Sequence, residues 1–203
     1  MATTRKRKAS SKTKSRSPAC YKAGDVIYSS KDIADFHKSL IGNPVVQSFH
    51  LMSAKEEKTY NSGRYKHKKC IINDIQFDSL MEARYYVYLL EQKSFGFIKD
   101  FAMQVRYTLM EKYKNKFTNK TIRPIEYLAD FVVQKLDGTI EAIDVKGQET
   151  DVFKIKQKLF GYKYPDIKLT CYQWSNKYGN RWIDLDELKK LQKESKAKKK
   201  KAS

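Results

Sequence analysis

Two β-rich runs joined by Asp137-Gly138 constrain the fold of this chain more than any other feature. Residues 125–136 and 140–146 are rich in β-branched and aromatic side chains, and Asp-Gly between two such runs is a strong hairpin signal. Residues 103–110 alternate between apolar and polar side chains, as in a half-buried strand. The sequence therefore predicts three successive strands, of which the last two form a hairpin.

A helix and a small hairpin are predicted before these strands. Ser79 followed three residues later by Glu82 is a capping box, and apolar residues then recur at helical spacing. Asn73-Asp74 lies between two short apolar runs and indicates a tight turn between two strands. Residues further upstream give a weaker signal, for a helix near 30–41 that a turn follows.

A second helix, a fourth strand and a last helix are predicted after the hairpin. Thr150 or Asp151 can cap the second helix, and Pro165 ends it. Residues 167–172 alternate as a strand, and residues 183–193 have the spacing of an amphipathic helix. The apolar side chains that repeat along the second helix are Val152, Ile155 and Leu159. This order predicts an α/β fold with a mixed central sheet flanked by helices.

The net charge of +19 lies mostly at the two ends of the chain. Residues 1–20 contain seven Lys or Arg and no acid, and residues 189–203 contain eight Lys and one Glu, which leaves +5 for the rest. Basic arms increase affinity for phosphate backbones through counterion release, without supplying sequence specificity. We therefore expect DNA as a partner, with a solubility tail as the alternative interpretation.

Several classes of protein are not supported by the sequence. The chain has no run of about 18 apolar residues, and no apolar segment follows its basic N-terminus, so we expect neither a membrane span nor a secretory signal. Cys20, Cys70 and Cys171 are too widely spaced to indicate a structural zinc site or a disulfide framework. We expect a soluble protein with reduced thiols and no membrane partner.

Three charged residues interrupt the apolar strands of the hairpin, namely Asp130, Asp144 and Lys146. Two carboxylates that are buried close together repel each other, so they need a counter-charge or a bound cation. A few carboxylate oxygens are the ligands that Mg²⁺ prefers in proteins. Spacing alone does not separate this metal site from an ordinary cross-strand Lys–Asp pair.

The length of the hairpin loop decides whether the three charged side chains share a face of the sheet. A two-residue loop would turn Asp144 away from Asp130. A three-residue loop, 137–139, would set Asp130 opposite Lys146 and bring all three to one face. The metal-site hypothesis requires this second register.

These residues resemble the PD-(D/E)xK nuclease superfamily, to which restriction endonucleases and several Holliday-junction resolvases belong. Its common core is a helix, a three-stranded meander, a helix and a strand, the order predicted here, and the resemblance is closest to small phage-borne endonucleases. The segments that carry it are Phe77-Asp78-Ser79-Leu80-Met81-Glu82-Ala83-Arg84-Tyr85, Tyr127-Leu128-Ala129-Asp130-Phe131 and Asp144-Val145-Lys146-Gly147. Ala129 stands where the family motif has Pro. The resemblance implies a restriction-endonuclease-like core (α-β-β-β-α-β).

The resemblance also implies a metal-dependent endonuclease that hydrolyses phosphodiester bonds in DNA. Asp130 and Asp144 would hold Mg²⁺, for which Mn²⁺ can substitute, and Lys146 would act on the attacking water and the phosphate. Glu82 would be a third ligand, although its capping position already explains it. Branched or structured DNA in phage replication or recombination is the implied substrate. The alternatives are a restriction-like nuclease without junction preference and a non-catalytic DNA-binding protein.

Further residues are candidates for contact with DNA, although each has an ordinary explanation as a solvated side chain. Lys156 ranks first among the basic residues of the second helix, because side chains two residues apart on a helix point in different directions. The candidate DNA-binding residues are Lys156, Gln104, Lys154 and Arg84. Three aromatics after the last core strand could stack on distorted DNA, but core packing is the more usual role of such side chains: Trp174, Tyr178 and Trp182.

Four parts of the chain are predicted from these observations. They are a disordered basic arm at 1–20, an N-terminal extension of uncertain structure at 21–68, a nuclease domain at 69–188 and a basic C-terminal tail at 189–203. Symmetric cutting of a junction would require a homodimer. We expect a cytoplasmic location, in the host cytoplasm if the protein is encoded by a phage.

Overall fold

The computed structural model describes residues 21–23, 26–28, 31–51, 69–146 and 149–201. The basic arm predicted at 1–20 lies outside these residues. The chain divides into two compact units, with the boundary between Asn43 and Pro44. In the first unit, strands β1 (Tyr21–Ala23) and β2 (Val26–Tyr28) pair antiparallel and helix α1 (Lys31–Leu40) contacts both. The weakly signalled helix near 30–41 is thus confirmed.

The second unit begins with a three-stranded antiparallel sheet. Its strands are β3 (Phe49–Leu51), β4 (Cys70–Ile72) and β5 (Ile75–Phe77). Asn73 and Asp74 connect β4 to β5 with φ angles of 49° and 64°, which are the left-handed values that a two-residue hairpin turn requires. The predicted turn at these two residues is confirmed.

A mixed five-stranded sheet forms the centre of the second unit. In spatial order its strands are β12 (Arg181–Asp184), β11 (Lys168–Ser175), β10 (Ile140–Val145), β9 (Ile125–Lys135) and β6 (Ile98–Met110). Only β10 and β11 run parallel, and the helix between them provides the crossover. The helices are α2 (Leu80–Ser94), α3 (Asp151–Lys163) and α4 (Leu185–Lys201). A small hairpin of β7 (Tyr113–Lys114) and β8 (Thr121–Ile122) connects β6 to β9.

Helices α2 and α3 cover opposite faces of the central sheet. Tyr85 of α2 packs its ring against Phe131 at 5.3 Å and against Tyr172 at 5.7 Å between centroids. Phe160 of α3 packs in a core cluster with Cys171, the neighbour of Tyr172 on β11. Because successive side chains of a strand point to opposite faces, α3 lies on the face away from α2. Both predicted helices therefore cover the meander.

The sequence predicted the start of α3, and the structure shows which side of this helix packs on the sheet. Thr150 is the N-cap, and its hydroxyl accepts from Phe153 N at 3.1 Å. Val152 and Ile155, two of the apolar residues that repeat along this helix, are 64% and 61% exposed, whereas the third, Leu159, packs against the core cluster. The helix packs on Phe153 and Phe160 instead, because two apolar stripes run along it and the sheet buries the one with the larger aromatic rings.

The predicted last helix contains a strand that the sequence did not reveal. Ile183 was expected in a helix, but it lies in β12, where it pairs with Gln173 and is 1% exposed. Helix α4 begins at Leu185, and the carboxylate of Asp184 accepts from Asp186 N at 2.8 Å. The helix continues to Lys201, so most of the segment predicted as a basic tail is helical.

The fold is α/β, with a mixed central sheet between helices, as predicted. Among the described residues, no helix is long and apolar enough to cross a membrane. The geometry of the β9–β10 hairpin matters most for function, because this hairpin carries the charged residues.

Candidate active site

The β9–β10 hairpin has a three-residue loop, but not at the predicted residues. Lys135 N donates to Thr139 O at 2.9 Å, and Gly138 N donates to Lys135 O at 3.1 Å. The loop is therefore 136–138, one residue earlier than the predicted 137–139. Gly138 has a φ of 87°, the left-handed conformation that the last residue of such a loop adopts and that glycine tolerates without strain.

This loop shifts the register of the hairpin from the predicted one. The pairing between the two strands ends with Phe131 opposite Ile143, and the same register continued by one residue sets Asp130 opposite Asp144 and not opposite Lys146. The register required by the metal-site hypothesis was wrong. The charge of Asp144 helps to raise the pKa of Asp130, so the two carboxylates lie near enough to interact.

Lys146 is the immediate counter-charge of Asp144. Its Nζ lies 2.6 Å from Asp144 Oδ2, and the two side chains are only 22% and 13% exposed. The same Nζ lies 3.6 Å from the centroid of the Phe153 ring, a cation–π contact from α3. Tyr127 OH donates a hydrogen bond to Asp144 Oδ2. These contacts orient Asp144 and Lys146 from both strands and from α3.

Asp130 forms no ion pair with any residue that the structure describes, and its electrostatic environment is unfavourable. Its Oδ2 accepts from Val145 N at 2.8 Å. Burial, followed by the nearby charges of Asp144 and Glu82, raises the pKa of Asp130 to about 8 against the opposing effects of Val145 N and Lys146. A proton or a cation at this site would relieve the repulsion between the carboxylates.

Glu82 combines its predicted capping role with a position at a pocket. Glu82 N donates to Ser79 Oγ at 3.2 Å, and the Ser79 hydroxyl donates to Glu82 Oε1 at 2.7 Å. Glu82 also lines a pocket of about 280 Å³ together with Asp130 and Gln104. The start of α2 therefore places the Glu82 carboxylate at the pocket that Asp130 also lines.

The acidic side chains that the structure describes do not form a complete metal-binding site. Across the described ranges, no three His, Cys, Asp or Glu side chains are close enough together to hold a metal ion. Asp130 and Asp144 are opposed on the sheet, and Glu82 reaches Asp130 electrostatically from α2. The arrangement is therefore an acidic pair with a third carboxylate at the same pocket.

Gln104 is held in an unusual backbone conformation next to the acidic pair. Its φ is 53°, and it stands opposite Asp130, because the flanking residues Met103 and Val105 pair with Phe131 and Ala129. A non-glycine residue in the left-handed region is strained, and such strain concentrates at functional sites. Only the tertiary structure reveals this feature, because nothing in the sequence around Gln104 indicates a left-handed residue.

At this left-handed residue, the side chains of β6 also change the side of the sheet to which they point. Phe101 packs its ring against Tyr86 of α2 at 6.0 Å, whereas Tyr107 packs against Phe160 of α3 at 4.9 Å. Residues six apart share a face in a regular strand. The alternation therefore changes near Gln104, at the level of the acidic pair.

The four candidate DNA-binding residues are not all brought to this site. Gln104 lines the pocket. Lys156 Nζ donates to the Glu126 carbonyl at 2.7 Å and so ties α3 to β9, and Lys154 pairs with its helix neighbour Asp151 at 3.0 Å. Arg84 is partly buried on α2.

Two aromatic contacts of the site were not foreseen from the sequence. They are the hydrogen bond from Tyr127 to Asp144 and the position of the Phe153 ring beneath Lys146. Tyr127 precedes Asp130 by three residues on an alternating strand, a spacing that gave no reason to expect it at the same site. Both contacts join residues that are distant in sequence.

Of the three aromatics predicted after the last core strand, the two Trp residues lie in strands, and all three pack against other aromatic or apolar side chains. Trp174 and Trp182 are cross-strand partners of β11 and β12, with ring centroids 5.4 Å apart. Trp182 also lies 4.8 Å from Tyr85 of α2, and Tyr178 packs against the core cluster. Core packing, the more usual role given to these residues, is confirmed.

Fold and site together define an α/β protein whose central hairpin carries an opposed pair of Asp residues with a Lys beside them. The chain belongs to the family described as "Protein of unknown function (DUF1064)", whose model matches residues 62–180. This range contains all four residues of the candidate site, Glu82, Asp130, Asp144 and Lys146. No curated protein and no solved structure matches the chain.

Proposed function

We propose that this protein is a metal-dependent endonuclease that hydrolyses phosphodiester bonds in DNA. One observation carries the proposal, namely the opposition of Asp130 and Asp144 across the β9–β10 hairpin, with Lys146 paired to Asp144. Glu82 lines the same pocket as Asp130 and completes the set of acidic residues. Carboxylates with an adjacent Lys are suited to phosphodiester hydrolysis, which requires charge stabilisation and an activated water.

The donor chemistry fits Mg²⁺ or Mn²⁺. Burial raises the pKa of Asp130, and the carboxylates of Asp144 and Glu82 raise it as well, so a bound cation would offset an unfavourable environment. Hard carboxylate oxygens that leave room for water and phosphate suit Mg²⁺, which dehydrates reluctantly. Asp130 and Asp144 would hold the ion, and Glu82 would be the third ligand.

Each side chain then has a distinct task in hydrolysis. Asp144 is held in place by Tyr127 and Lys146, so its orientation does not have to change when a substrate binds. Lys146 presents its charge where a phosphate oxygen would approach Asp144, and there it would position the attacking water or receive its proton. A bound Mg²⁺ supplies positive charge at the phosphate and promotes deprotonation of the water.

The order of the elements supports the same proposal. The succession of α2, β6, β9, β10, α3 and β11 has the helix, meander, helix and strand of the PD-(D/E)xK superfamily that the sequence resembles. We therefore include a restriction-endonuclease-like core in the proposal. Branched or structured DNA, a homodimeric form and a cytoplasmic location belong to it as well.

The first experiment measures cleavage of supercoiled plasmid and of a synthetic four-way junction, each with Mg²⁺ and with EDTA. Wild-type protein is compared with Asp144→Asn, and Asp166→Asn serves as a matched control because it removes one exposed carboxylate outside the acidic site. The expected result is metal-dependent cutting that Asp144→Asn abolishes and Asp166→Asn retains. Preference for the junction over the plasmid would support branched DNA as the substrate.

The same experiment distinguishes the alternatives. Equal cutting of plasmid and junction would favour a restriction-like nuclease without junction preference. If no DNA is cut while wild type and Asp144→Asn bind DNA equally, the catalytic proposal fails and a non-catalytic DNA-binding protein is the better description.

A further inference from the structure

A basic hairpin projects between β6 and β9. It comprises residues 111–124, and its strands β7 and β8 pair through Tyr113 with Ile122 and Lys114 with Thr121. The hairpin pairs only within itself among the described strands, because β7 and β8 form a separate two-stranded sheet. It is therefore an arm that leaves the central sheet where Met110 pairs with Ile125.

The tip of the basic hairpin is an ordered turn that exposes one aromatic ring. The side chain of Asn115 accepts from Phe117 N at 2.9 Å and from Thr118 N at 3.0 Å, and its backbone N donates to Lys120 O at 2.9 Å. Asn119 adopts a left-handed φ of 53°. Phe117 is 98% exposed, the highest value among the exposed large hydrophobic residues described. A ring of this size ordinarily gains from burial, so a turn that holds it in solvent points to a partner.

Positive charge surrounds this ring. The hairpin contains five exposed cations and one acid, Glu111, which pairs with Lys163 at 3.1 Å. Within the described part of the chain, none of the five cations forms an ion pair. They are Lys112, Lys114, Lys116, Lys120 and Arg123. The hairpin thus offers exposed cations on both sides of an exposed aromatic ring.

We propose that the basic hairpin is a DNA-binding element in which Phe117 stacks on a base and the flanking lysines contact the phosphates. Aromatic rings stack on bases that have left the regular stack, and cations along the same element follow the backbone. The base must therefore be unpaired or lie at a gap or branch. A single ring offers too little apolar area to anchor a protein to a membrane by itself.

The position of the hairpin agrees with this role. Asp130 lies five residues along β9 from Ile125, at the base of the hairpin, which is about 16 Å at the rise of an extended strand. That distance is about five base pairs of DNA at 3.4 Å each. A DNA molecule at the acidic pair can therefore also reach the hairpin. The inference shares its ligand with the proposed nuclease but does not rest on cleavage.

The test measures binding of full-length protein to fluorescently labelled DNA by anisotropy, with EDTA present to prevent cutting. Three DNAs of equal length are compared, namely a continuous duplex, the same duplex with a short single-stranded gap, and a four-way junction. Phe117→Ala should weaken binding to the gapped and branched DNAs between about fivefold and about 150-fold, with little change for the duplex. Phe97→Ala, which removes another exposed ring, is the control and should bind all three DNAs as wild type does.

The phosphate contacts are tested by the salt dependence of duplex binding. Lys116→Gln/Lys120→Gln should reduce the slope of log affinity against log salt by about 1.8, because each phosphate contact contributes about 0.9. The control removes the same charge from two exposed lysines outside the hairpin and the basic tail, with Lys99→Gln/Lys177→Gln, and should change the slope less. Equal reductions in the two double variants would contradict phosphate contacts at the hairpin.

Two other results would overturn the stacking proposal. One is wild-type affinity of Phe117→Ala for all three DNAs, and the other is an equal loss on duplex and gapped DNA. Sedimentation with anionic lipid vesicles tests a membrane surface as the rival partner. If Phe117→Ala weakens binding to vesicles but not to DNA, the hairpin is a membrane-binding element instead. Failure of the nuclease proposal is recognised separately, since Asp144→Asn is scored by cleavage and the hairpin variants by binding in EDTA.

Discussion

Replacing Asp130 by Asn should stabilise the metal-free protein at mildly alkaline pH. The pKa of Asp130 is raised from 3.8 to about 8, chiefly by burial and then by the charge of Asp144. Between these two pH values the folded state holds a proton that the unfolded state releases, so stability falls as the pH rises through this window. Asn cannot ionise, and its carbonyl oxygen can still accept from Val145 N, so the variant lacks this loss.

The magnitude follows from the linkage between protonation and folding. One carboxylate can change the free energy of unfolding by at most about 1.4 kcal/mol per pH unit within the window. From about pH 5 to about pH 7, wild type should therefore lose up to about 3 kcal/mol relative to Asp130→Asn. For a domain of this size that corresponds to a relative change in Tm of about 6–12 °C.

The assay is thermal unfolding of both proteins across this pH range, in EDTA and again in excess Mg²⁺. Only the difference between the two proteins is interpreted, so that other titrating groups cancel. Mg²⁺ should stabilise wild type at high pH and leave Asp130→Asn nearly unaffected, because a metal that binds the folded state stabilises it by mass action. A difference in Tm that is independent of pH in EDTA would refute the electrostatic account of Asp130.

Three further changes test the contacts around this carboxylate and the loop that positions it. Lys146→Ala should reduce the cleavage rate by about 100-fold to about 1,000-fold, the usual cost of removing one charge-stabilising group, as measured under saturating Mg²⁺. Tyr127→Phe should weaken Mg²⁺ binding by about 10-fold to about 100-fold, because Asp144 loses the hydroxyl that orients it. The Mg²⁺ dependence of cleavage or of Tm measures this loss of affinity. Gly138→Ala should lower the free energy of unfolding by about 1–2 kcal/mol in urea denaturation, because φ is 87° although the added methyl group meets no atom within 4 Å. An unchanged stability of Gly138→Ala would argue against the observed hairpin loop.

Features that depend on a few consecutive residues could be predicted from the sequence. The N-cap at Ser79 was identified correctly and Thr150 was one of two candidates for the next, because a capping hydrogen bond reaches only two or three residues along the chain. The turn at Asn73-Asp74 is equally local, since the two residues themselves adopt the left-handed conformation. The α/β class followed from the order of these local elements.

Features that depend on a partner across the sheet were predicted less well. The apolar repeat of α3 did not identify its buried side, because the helix has two apolar stripes and only the sheet beneath it selects Phe153 over Val152. Ile183 was assigned to a helix because a short apolar segment does not reveal that a neighbouring strand pairs with it. In each case the deciding contact lies outside the local sequence.

The candidate site depends on both levels. The sequence by itself identified Asp130, Asp144 and Lys146 as charges in apolar strands, because residue type and alternation are local properties. Only the tertiary structure decided that the two Asp residues stand opposite each other. The loop that ends at Gly138 sets the register, and moving it by one residue along the chain would change every cross-strand partner. The ring beneath Lys146 and the left-handed backbone beside Asp130 come from distant segments of the chain, and packing alone brings them together.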